Sequence, residues 1–168
     1  MGKVIVLILF LFIKPVFSQT PQKQTNLENQ IFTAKVIRVM DGDTMEALYK
    51  NKPIKIRLAH IDCPEKRSTQ PFNNQAKKAL SDLCFGQQVT IYAENYDRYG
   101  RLIAIVLNNK KQIVNQEMIK RGMAWHFKRY SSDQLYAKLE LVARKDKIGL
   151  WKDKNPIAPW KWRKPARN

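Results

Sequence analysis

A stretch of nine residues from Arg57 to Glu65 brings together side chains that could do chemistry. Its alternating polar and apolar residues indicate a strand. Because residues an even number apart share one face of a strand, Arg57 and Ile61 are predicted on one face and Asp62 on the other. Pro64 restricts the backbone, so Glu65 would be held at a defined angle beyond the strand. The stretch would therefore present one arginine and two carboxylates close together.

Two further clusters lie on either side of this stretch: Asp41-Gly42-Asp43-Thr44 precedes it, and Asp97-Arg98-Tyr99-Gly100-Arg101 follows it. Carboxylates are the ligands that a hard cation such as Ca²⁺ prefers. The planar guanidinium groups of Arg57 and Arg101 could bind a phosphate in bidentate fashion. Glu65 is left to accept a proton. This combination indicates an enzyme that cleaves phosphodiester bonds.

The three blocks resemble the signature segments of the staphylococcal nuclease (thermonuclease) family in order and approximate spacing. The resemblance covers about residues 30 to 151 and includes Asn115, Gly122 and Gly149-Leu150-Trp151. One Asp-Gly-Asp alone would indicate only a turn, so the specificity comes from three blocks in register. The resemblance implies a five-stranded OB-fold barrel with three helices. It also implies a calcium cofactor and hydrolysis of DNA and RNA, with little sequence preference, to give 3′-phosphate ends.

Asp43 and Asp62 are the predicted metal ligands, because calcium takes oxygen ligands in an irregular shell. By resemblance, the backbone carbonyl of Cys63 is a third ligand. The family most often has Thr at that position, and a carbonyl ligand tolerates the change. Each carboxylate also has a simpler interpretation, Asp43 as a hairpin turn residue and Asp62 as a cap at a strand end. Asp41 is interpreted as a turn residue with at most a water-mediated role.

Arg57 and Arg101 are predicted to bind the phosphate, and the resemblance makes Glu65 the general base. In a chain with 31 lysines and arginines, a surface ion pair is the alternative for each arginine. The alternative for Glu65 is charge stabilisation of the helix that follows it. His60 and His126 are interpreted as structural histidines rather than ligands or catalysts.

Several aromatic residues are candidates for stacking on bases, although most aromatic residues of a small barrel lie in its core. The family's phosphate-contacting tyrosine follows Gly122 in a segment that is shorter here. Tyr99 and Tyr130 are the predicted nucleic-acid contacts. The full candidate set is Tyr96, Tyr99, Trp125, Phe127 and Tyr130.

Short strands with helices at the crossovers must position these residues. Strands are predicted over 31–40, 44–49, 54–61, 89–93 and 102–107. Gly42 is expected to supply an unusual φ in the first hairpin turn. Because no βαβ alternation occurs, the pattern favours a small α+β barrel over a doubly wound sheet.

Three helices complete the predicted domain, 31–151. The first has an apolar face formed by Ala76, Ala79, Leu80 and Leu83. The second covers 116–121, with Asn115 as its N-cap. The third is opened by a capping box that starts at Ser131. Its predicted inward face is Leu135, Leu139 and Val142.

Residues 1–18 are predicted to be a signal peptide, because Lys3 precedes an apolar run of ten residues, Val4 to Ile13, that is too short to span a bilayer. Cleavage is expected before Gln19, and an uncleaved membrane anchor is the alternative. Residues 19–30 are predicted to be a flexible lead-in. The formal net charge is +17 for the chain, or +15 over 150 residues once Lys3 and Lys14 are removed. This excess favours a polyanionic partner, nucleic acid first, for a secreted or periplasmic protein.

Two features remain open at this point. Cys63 and Cys84 could pair in an exported protein, or could be two half-buried thiols. The tail 152–168 contains tryptophans among basic residues, which favours docking on the domain, with a base-stacking arm as the alternative. The leading hypothesis is a monomeric, calcium-dependent nuclease without a stable protein partner. The alternative function is a catalytically silent OB-fold module that binds nucleic acid.

Overall fold

A closed five-stranded barrel forms the centre of the computed structural model, which describes residues 26–66 and 70–163. The strands in chain order are β1 (Ile31–Val39), β2 (Thr44–Tyr49), β3 (Lys52–Leu58), β4 (Ile61–Asp62), β5 (Gln88–Tyr96), β6 (Leu102–Leu107) and β7 (Trp125–His126). The barrel order is β1-β2-β3-β6-β5, while β4 and β7 pair beside it. The predicted α+β OB-fold barrel is confirmed.

Helices cover the crossovers. They are α1 (Asn73–Cys84), α2 (Val114–Lys120), α3 (Gln134–Lys145), a 3-10 helix (Gly149–Lys152) and α4 (Pro159–Trp162). The first three occupy the regions where helices were predicted. The short α4 lies in the tail, where no helix was predicted.

Strand alternation builds the barrel core. Phe32, Ala34 and Val36 of β1 point inward and are buried, as the period-two pattern predicts. The meander pairs β1 with β2 and β2 with β3 in antiparallel register. The barrel closes where β3 pairs with β6 in parallel, with Ile56 opposite Leu102. This parallel pair requires a long crossover, which contains α1 and β5.

The apolar face of α1 is the predicted one. Its buried residues include every member of the predicted set, and Gly86, with φ 75°, lies just beyond the helix end. Cys84 is also buried on this face, and both cysteines are free thiols. The two-thiol alternative is therefore the observed one.

The prediction that Asn115 caps α2 is wrong. The cap position is Ile113, and Asn115 lies inside the helix with its side chain fully buried. Its Oδ1 accepts a hydrogen bond from the Val106 N–H, and its Nδ2 donates to the carbonyls of Ala59 and Ala104. Asn115 thus connects β6 to the turn that follows β3 and satisfies buried backbone groups of both.

The predicted inward face of α3 is wrong for two of its three residues. Leu135 and Val142 are exposed, whereas Leu139 is partly buried against the core. The fully buried residues are Tyr136, Glu140 and Ala143, so the buried face is shifted by one position. Asp133 is the N-cap, and its side chain accepts a hydrogen bond from a backbone N–H in the first turn of the helix. The shift was hidden because one inward residue is charged. Glu140 is buried against Arg144 at 3.0 Å and Lys128 at 3.8 Å.

The start of the chain lies partly outside the described residues. The signal peptide 1–18 and most of the lead-in 19–30 fall there. Within the lead-in, Leu27 is buried against the core, and Asn29 donates its N–H to the carbonyl of Glu94. No helix in the described ranges is long and apolar enough to cross a membrane.

The last described residues pack on the domain. Ala158 and Pro159 are buried. The Trp160 ring stacks on Phe127 with centroids 5.4 Å apart, and meets Trp125 edge-on at 5.6 Å. Residues 154–163 therefore lie beside the β4–β7 pair and close to the Pro64 turn.

Candidate active site

A backbone reversal after β3 brings Asp62 back to Arg57. The prediction of one continuous strand over 54–61 is wrong, because β3 ends at Leu58 and His60 adopts a left-handed conformation with φ 65°. Arg57 Nη1 fills the inside of this turn and donates to the carbonyls of Leu58 at 2.6 Å and Ile61 at 2.9 Å. Arg57 and Asp62 were predicted on opposite faces, yet Nη2 and Oδ1 are 3.1 Å apart.

The acidic turn before β2 places Asp43 against the same guanidinium group. The N–H of Asp43 donates to Asp41 Oδ1 at 3.1 Å. Gly42 does not have the expected positive φ. Its role is close packing, because a Cβ there would lie 2.7 Å from the Cβ atoms of both Cys63 and Ala76. Glycine therefore allows this turn to touch α1 and the Cys63 backbone.

The Asp43 carboxylate is fixed by three donors. Its oxygens lie 3.1 Å from Thr44 Oγ1, 2.9 Å from the Cys63 N–H and 3.1 Å from Arg57 Nη2. Arg57 Nη2 therefore contacts both predicted ligands, Asp43 and Asp62. The Cys63 contact to Asp43 is made by its backbone N–H, and ligation by the Cys63 carbonyl stays a prediction.

Burial makes the negative charge of this cluster of aspartates unfavourable unless cations lie beside it. Asp43 and Asp62 are 7% and 2% exposed. Burial, followed by the charge of Asp43, raises the pKa of Asp62 to about 6 despite its arginine partners. The same two causes, burial first, raise the pKa of Asp41 to about 6. Burial opposes the charge of Arg57, but Asp43 and Asp62 hold its pKa above its usual value.

A calcium ion fits this donor set. Two buried carboxylates that lie close together repel each other, so a divalent cation between them is favoured. Their oxygens are also the hard ligands that calcium prefers. The Cys63 thiol is buried and its pKa lies well above the usual range, so the sulfur would stay protonated. Among the described residues, no three Asp, Glu, His or Cys side chains are grouped to hold a metal. The shell would therefore need the backbone carbonyl and waters, which calcium accepts.

Arg101 reaches the site through a hydroxyl group. Its Nε and Nη2 bind Asp97 Oδ2 at 2.8 and 2.7 Å, and its Nη1 donates to Thr44 Oγ1 at 3.3 Å. Partial burial raises the pKa of Asp97, but hydrogen bonds from Arg101 and the Tyr99 N–H outweigh it and lower that pKa. The orienting roles of Asp97 and Thr44 were not predicted, although both residues lie within the signature blocks.

Glu65 lies where the Pro64 turn leaves β4. Its N–H donates to Gln70 Oε1 at 3.0 Å, and its carbonyl accepts the Gln70 N–H at 3.1 Å. These two bonds fix the backbone of Glu65, so the turn is held by a buried amide as well as by proline. The side chain is partly exposed and faces Arg163.

Arg163 completes the group, and sequence reasoning missed it. Its Nη2 lies 2.7 Å from Asp62 Oδ2, its Nη1 lies 3.3 Å from Asp62 Oδ1, and Nη1 also contacts Glu65 Oε1. Burial opposes its charge, but hydrogen bonds to Asp62 and Glu65 raise its pKa. It is one of 31 basic residues, and no local pattern distinguishes it.

The two histidines lie outside this cluster of aspartates and arginines. The His60 ring faces Glu94 at 3.5 Å and Tyr136, with ring centroids 5.0 Å apart. His126 is buried, and its Nε2 is 2.9 Å from Ser131 Oγ. Burial lowers the pKa of His126 and favours the neutral ring. These contacts are structural.

The predicted nucleic-acid contacts are the two most exposed tyrosines. Tyr99 and Tyr130 are 68% and 69% exposed. The Arg101 guanidinium lies over the Tyr99 ring, 5.6 Å from its centroid. Tyr130 packs edge-on against Phe127, with centroids 4.9 Å apart. Trp125 is buried, so it belongs to the core rather than to a base-stacking surface.

The family model described as "Staphylococcal nuclease homologue" matches residues 55–153. An "Uncharacterized endonuclease" of Haemophilus influenzae is 46% identical over 136 residues, covering 80% of this chain and 75% of the relative. A "Micrococcal nuclease" of Shigella flexneri is 37% identical over 147 residues, covering 82% and 83%. An "Uncharacterized endonuclease" of Escherichia coli O157:H7 is 36% identical over 163 residues, covering 97% and 98%. The chain belongs to the staphylococcal nuclease family.

Proposed function

We propose that this protein is an exported, calcium-dependent nuclease that hydrolyses DNA and RNA with little sequence preference and leaves 3′-phosphate ends. The observation that carries the proposal is the convergence of Asp43, Arg57, Asp62, Glu65 and Arg101 on one hydrogen-bonded network. These residues come from three separate blocks, and only the fold brings them together. Membership of a nuclease family supports the same chemistry.

The two arginines, Arg57 and Arg101, would bind the scissile phosphate beside the carboxylate pair. Arg57 is held rigidly by two backbone carbonyls, so little entropy would be lost when it binds. Arg101 is oriented by Asp97 and is partly exposed. Preorganised guanidinium groups stabilise the charge that develops on the phosphoryl oxygens, and this contribution is largest in the transition state.

Calcium, when bound, would neutralise phosphate charge and polarise the phosphoryl oxygen as a Lewis acid. Asp43, Asp62 and the Cys63 carbonyl would hold it. Glu65 would accept a proton from water while the water oxygen forms its bond to phosphorus and the bond to the 5′ oxygen breaks. The departing 5′ oxygen would take up a proton from solvent and leave as a hydroxyl group. The fixed backbone of Glu65 supports this role, because a general base must be held within hydrogen-bond reach of the water.

Charge and exposed aromatic rings would hold the strand around the site. The net charge of +17 favours a polyanion without selecting a sequence. Tyr99 and Tyr130 could stack on bases, which also gives little sequence preference. Export by residues 1–18 would place the enzyme in the periplasm or outside the cell, where calcium is plentiful.

Cleavage of a short single-stranded DNA and the matching RNA, with calcium or with chelator, tests the proposal. We expect cleavage of both only with calcium, and loss of most activity together with weaker calcium binding in Asp43→Ala. Asp82→Asn is the control, because Asp82 is an exposed carboxylate paired with Lys78 on α1. Cleavage that survives the chelator would contradict the metal assignment. Binding of both nucleic acids without any cleavage would favour the silent OB-fold module.

A further inference from the structure

We propose that Arg163 is an internal competitor of calcium, which sets the calcium concentration at which the site becomes active. Arg163 lies ten residues beyond the region that matches the family model, 55–153. Its contacts nevertheless fall on one predicted metal ligand and on the predicted general base. The inference rests on the calcium site proposed above.

The guanidinium group of Arg163 occupies both oxygens of the Asp62 carboxylate. The contacts are 2.7 Å to Oδ2 and 3.3 Å to Oδ1, and the same group contacts Glu65 Oε1. Asp62 is buried, with Arg57 as its other cationic partner. A carboxylate with both oxygens hydrogen-bonded to a guanidinium cannot offer the same lone pairs to a metal ion. Arg163 and calcium therefore compete for Asp62.

The tail holds Arg163 in place before any ion arrives. Trp160, three residues earlier, packs between Phe127 and Trp125. The carbonyl of Ile157 accepts a 2.7 Å hydrogen bond from Gln70, the same amide that fixes the Glu65 backbone. Because the segment is docked, little entropy is lost when the Arg163 side chain closes on the carboxylates.

The same side chain also blocks Glu65. Arg163 Nη1 contacts Glu65 Oε1, so this oxygen is occupied while Arg163 stays in place. The Arg163 side chain is 40% exposed, so it can leave without disturbing the core. When Arg163 leaves, one movement would free a metal ligand and the general base together. By linkage, any ligand that binds better to the released state must strengthen calcium binding by the same factor by which calcium strengthens the binding of that ligand.

Calorimetric titration of calcium into the full chain, without nucleic acid, tests this competition in Arg163→Gln. We expect calcium to bind roughly tenfold or more tightly, the factor that a charge-assisted hydrogen bond carries. Lys161→Gln is the matched control, since it removes one positive charge from α4 at an exposed position without a contact to either carboxylate. Its affinity should stay within about twofold of wild type, as expected for a screened surface charge.

If Arg163→Gln does not fold, the same calcium titration is done with Arg163→Lys. It keeps the charge and loses the planar fork, so a smaller gain in affinity is expected. Equal affinities in wild type and in both variants would overturn the inference and leave the proposed nuclease function intact. Weaker calcium binding in the Arg163 variants would also overturn it and would make Arg163 a support of the site. If neither wild type nor any variant binds calcium, the proposed metal site fails and this inference fails with it.

Discussion

Two arginine–aspartate pairs in this molecule have equally short contacts but different consequences. Arg101 binds Asp97 within one turn, four residues apart, with Nη2 2.7 Å from Oδ2. Arg163 binds Asp62 across 101 residues of chain, also with Nη2 2.7 Å from Oδ2. In the first pair the aspartate orients an arginine that is predicted to bind phosphate. In the second, the arginine neutralises an aspartate that is predicted to bind calcium.

The electrostatics of the two aspartates separate the pairs further. Asp97 accepts two backbone N–H groups in addition to its arginine, and these bonds outweigh partial burial and lower its pKa. Asp62 is more deeply buried and lies near Asp43, so its pKa rises to about 6 although two arginines contact it. An ion pair therefore does not reveal its role by geometry alone. The burial and neighbours of the carboxylate decide whether the pair is a stable support or a contact that another cation can replace.

The largest expected effect is on the cleavage rate, and it comes from removing the carboxylate of Glu65, which contacts Arg163 together with Asp62. Glu65→Gln should fold and bind nucleic acid, but its single-turnover cleavage rate should fall by roughly 10²–10⁴, the usual contribution of a general base. Glu28→Gln, at an exposed position, is the control. Wild-type turnover in Glu65→Gln would remove Glu65 from the mechanism and leave it only as a partner of Arg163.

The second largest effect is expected on turnover when Arg101, the arginine of the Arg101–Asp97 pair, is changed. Arg101→Lys keeps the charge but cannot bind Asp97 and Thr44 at once through a planar fork. Affinity for a short DNA and its salt dependence should change little, while turnover should fall by roughly 10²–10³. Arg98→Lys is the matched control, because Arg98 is an exposed arginine in the same turn. Equal losses of affinity and turnover in Arg101→Lys would mean that Arg101 is a general nucleic-acid contact.

Much of the fold could be predicted because its signals are local. The alternation in β1 and the i, i+3, i+4, i+7 spacing in α1 report directly which side chains face the core. The order of the signature blocks along the chain singled out Asp43, Arg57 and Asp62, and the fold brings these three side chains into contact. Where a local signal was ambiguous, tertiary contacts decided the outcome. Asn115 could have capped a helix, but its side chain instead binds backbone groups of β6 and of the turn after β3.

The rest of the site depends on contacts that sequence patterns do not show. The reversal at His60 places a non-glycine residue at positive φ, which alternation alone could not indicate. The inward face of α3 was misassigned because Glu140, a charged residue, is buried there with cationic partners. Arg163 reaches Asp62 only because Trp160 and Ile157 dock the tail. Such long-range pairs become visible only once the fold is known.

The smallest expected effect is on stability, and it has opposite signs in the two pairs. In chelator at pH 7, Asp62→Asn should raise the free energy of unfolding by about 1–3 kcal/mol, since a pKa raised by burial marks a charge that destabilises the fold. Asp97→Asn should lower the free energy of unfolding by about 0.5–1.5 kcal/mol, since the substitution weakens charge-assisted hydrogen bonds.

The pH dependence of stability should have opposite signs for the same two aspartates. Wild type should lose stability relative to Asp62→Asn as the pH rises from about 4 through the folded-state pKa of about 6. The contribution of Asp97 should be present above its ordinary pKa of 3.8 and disappear as the pH falls through its lowered value. Urea unfolding of wild type and both variants between pH 3 and pH 8 would measure these differences. If both substitutions changed the free energy of unfolding in the same direction, the predicted contrast between Asp62 and Asp97 would be wrong.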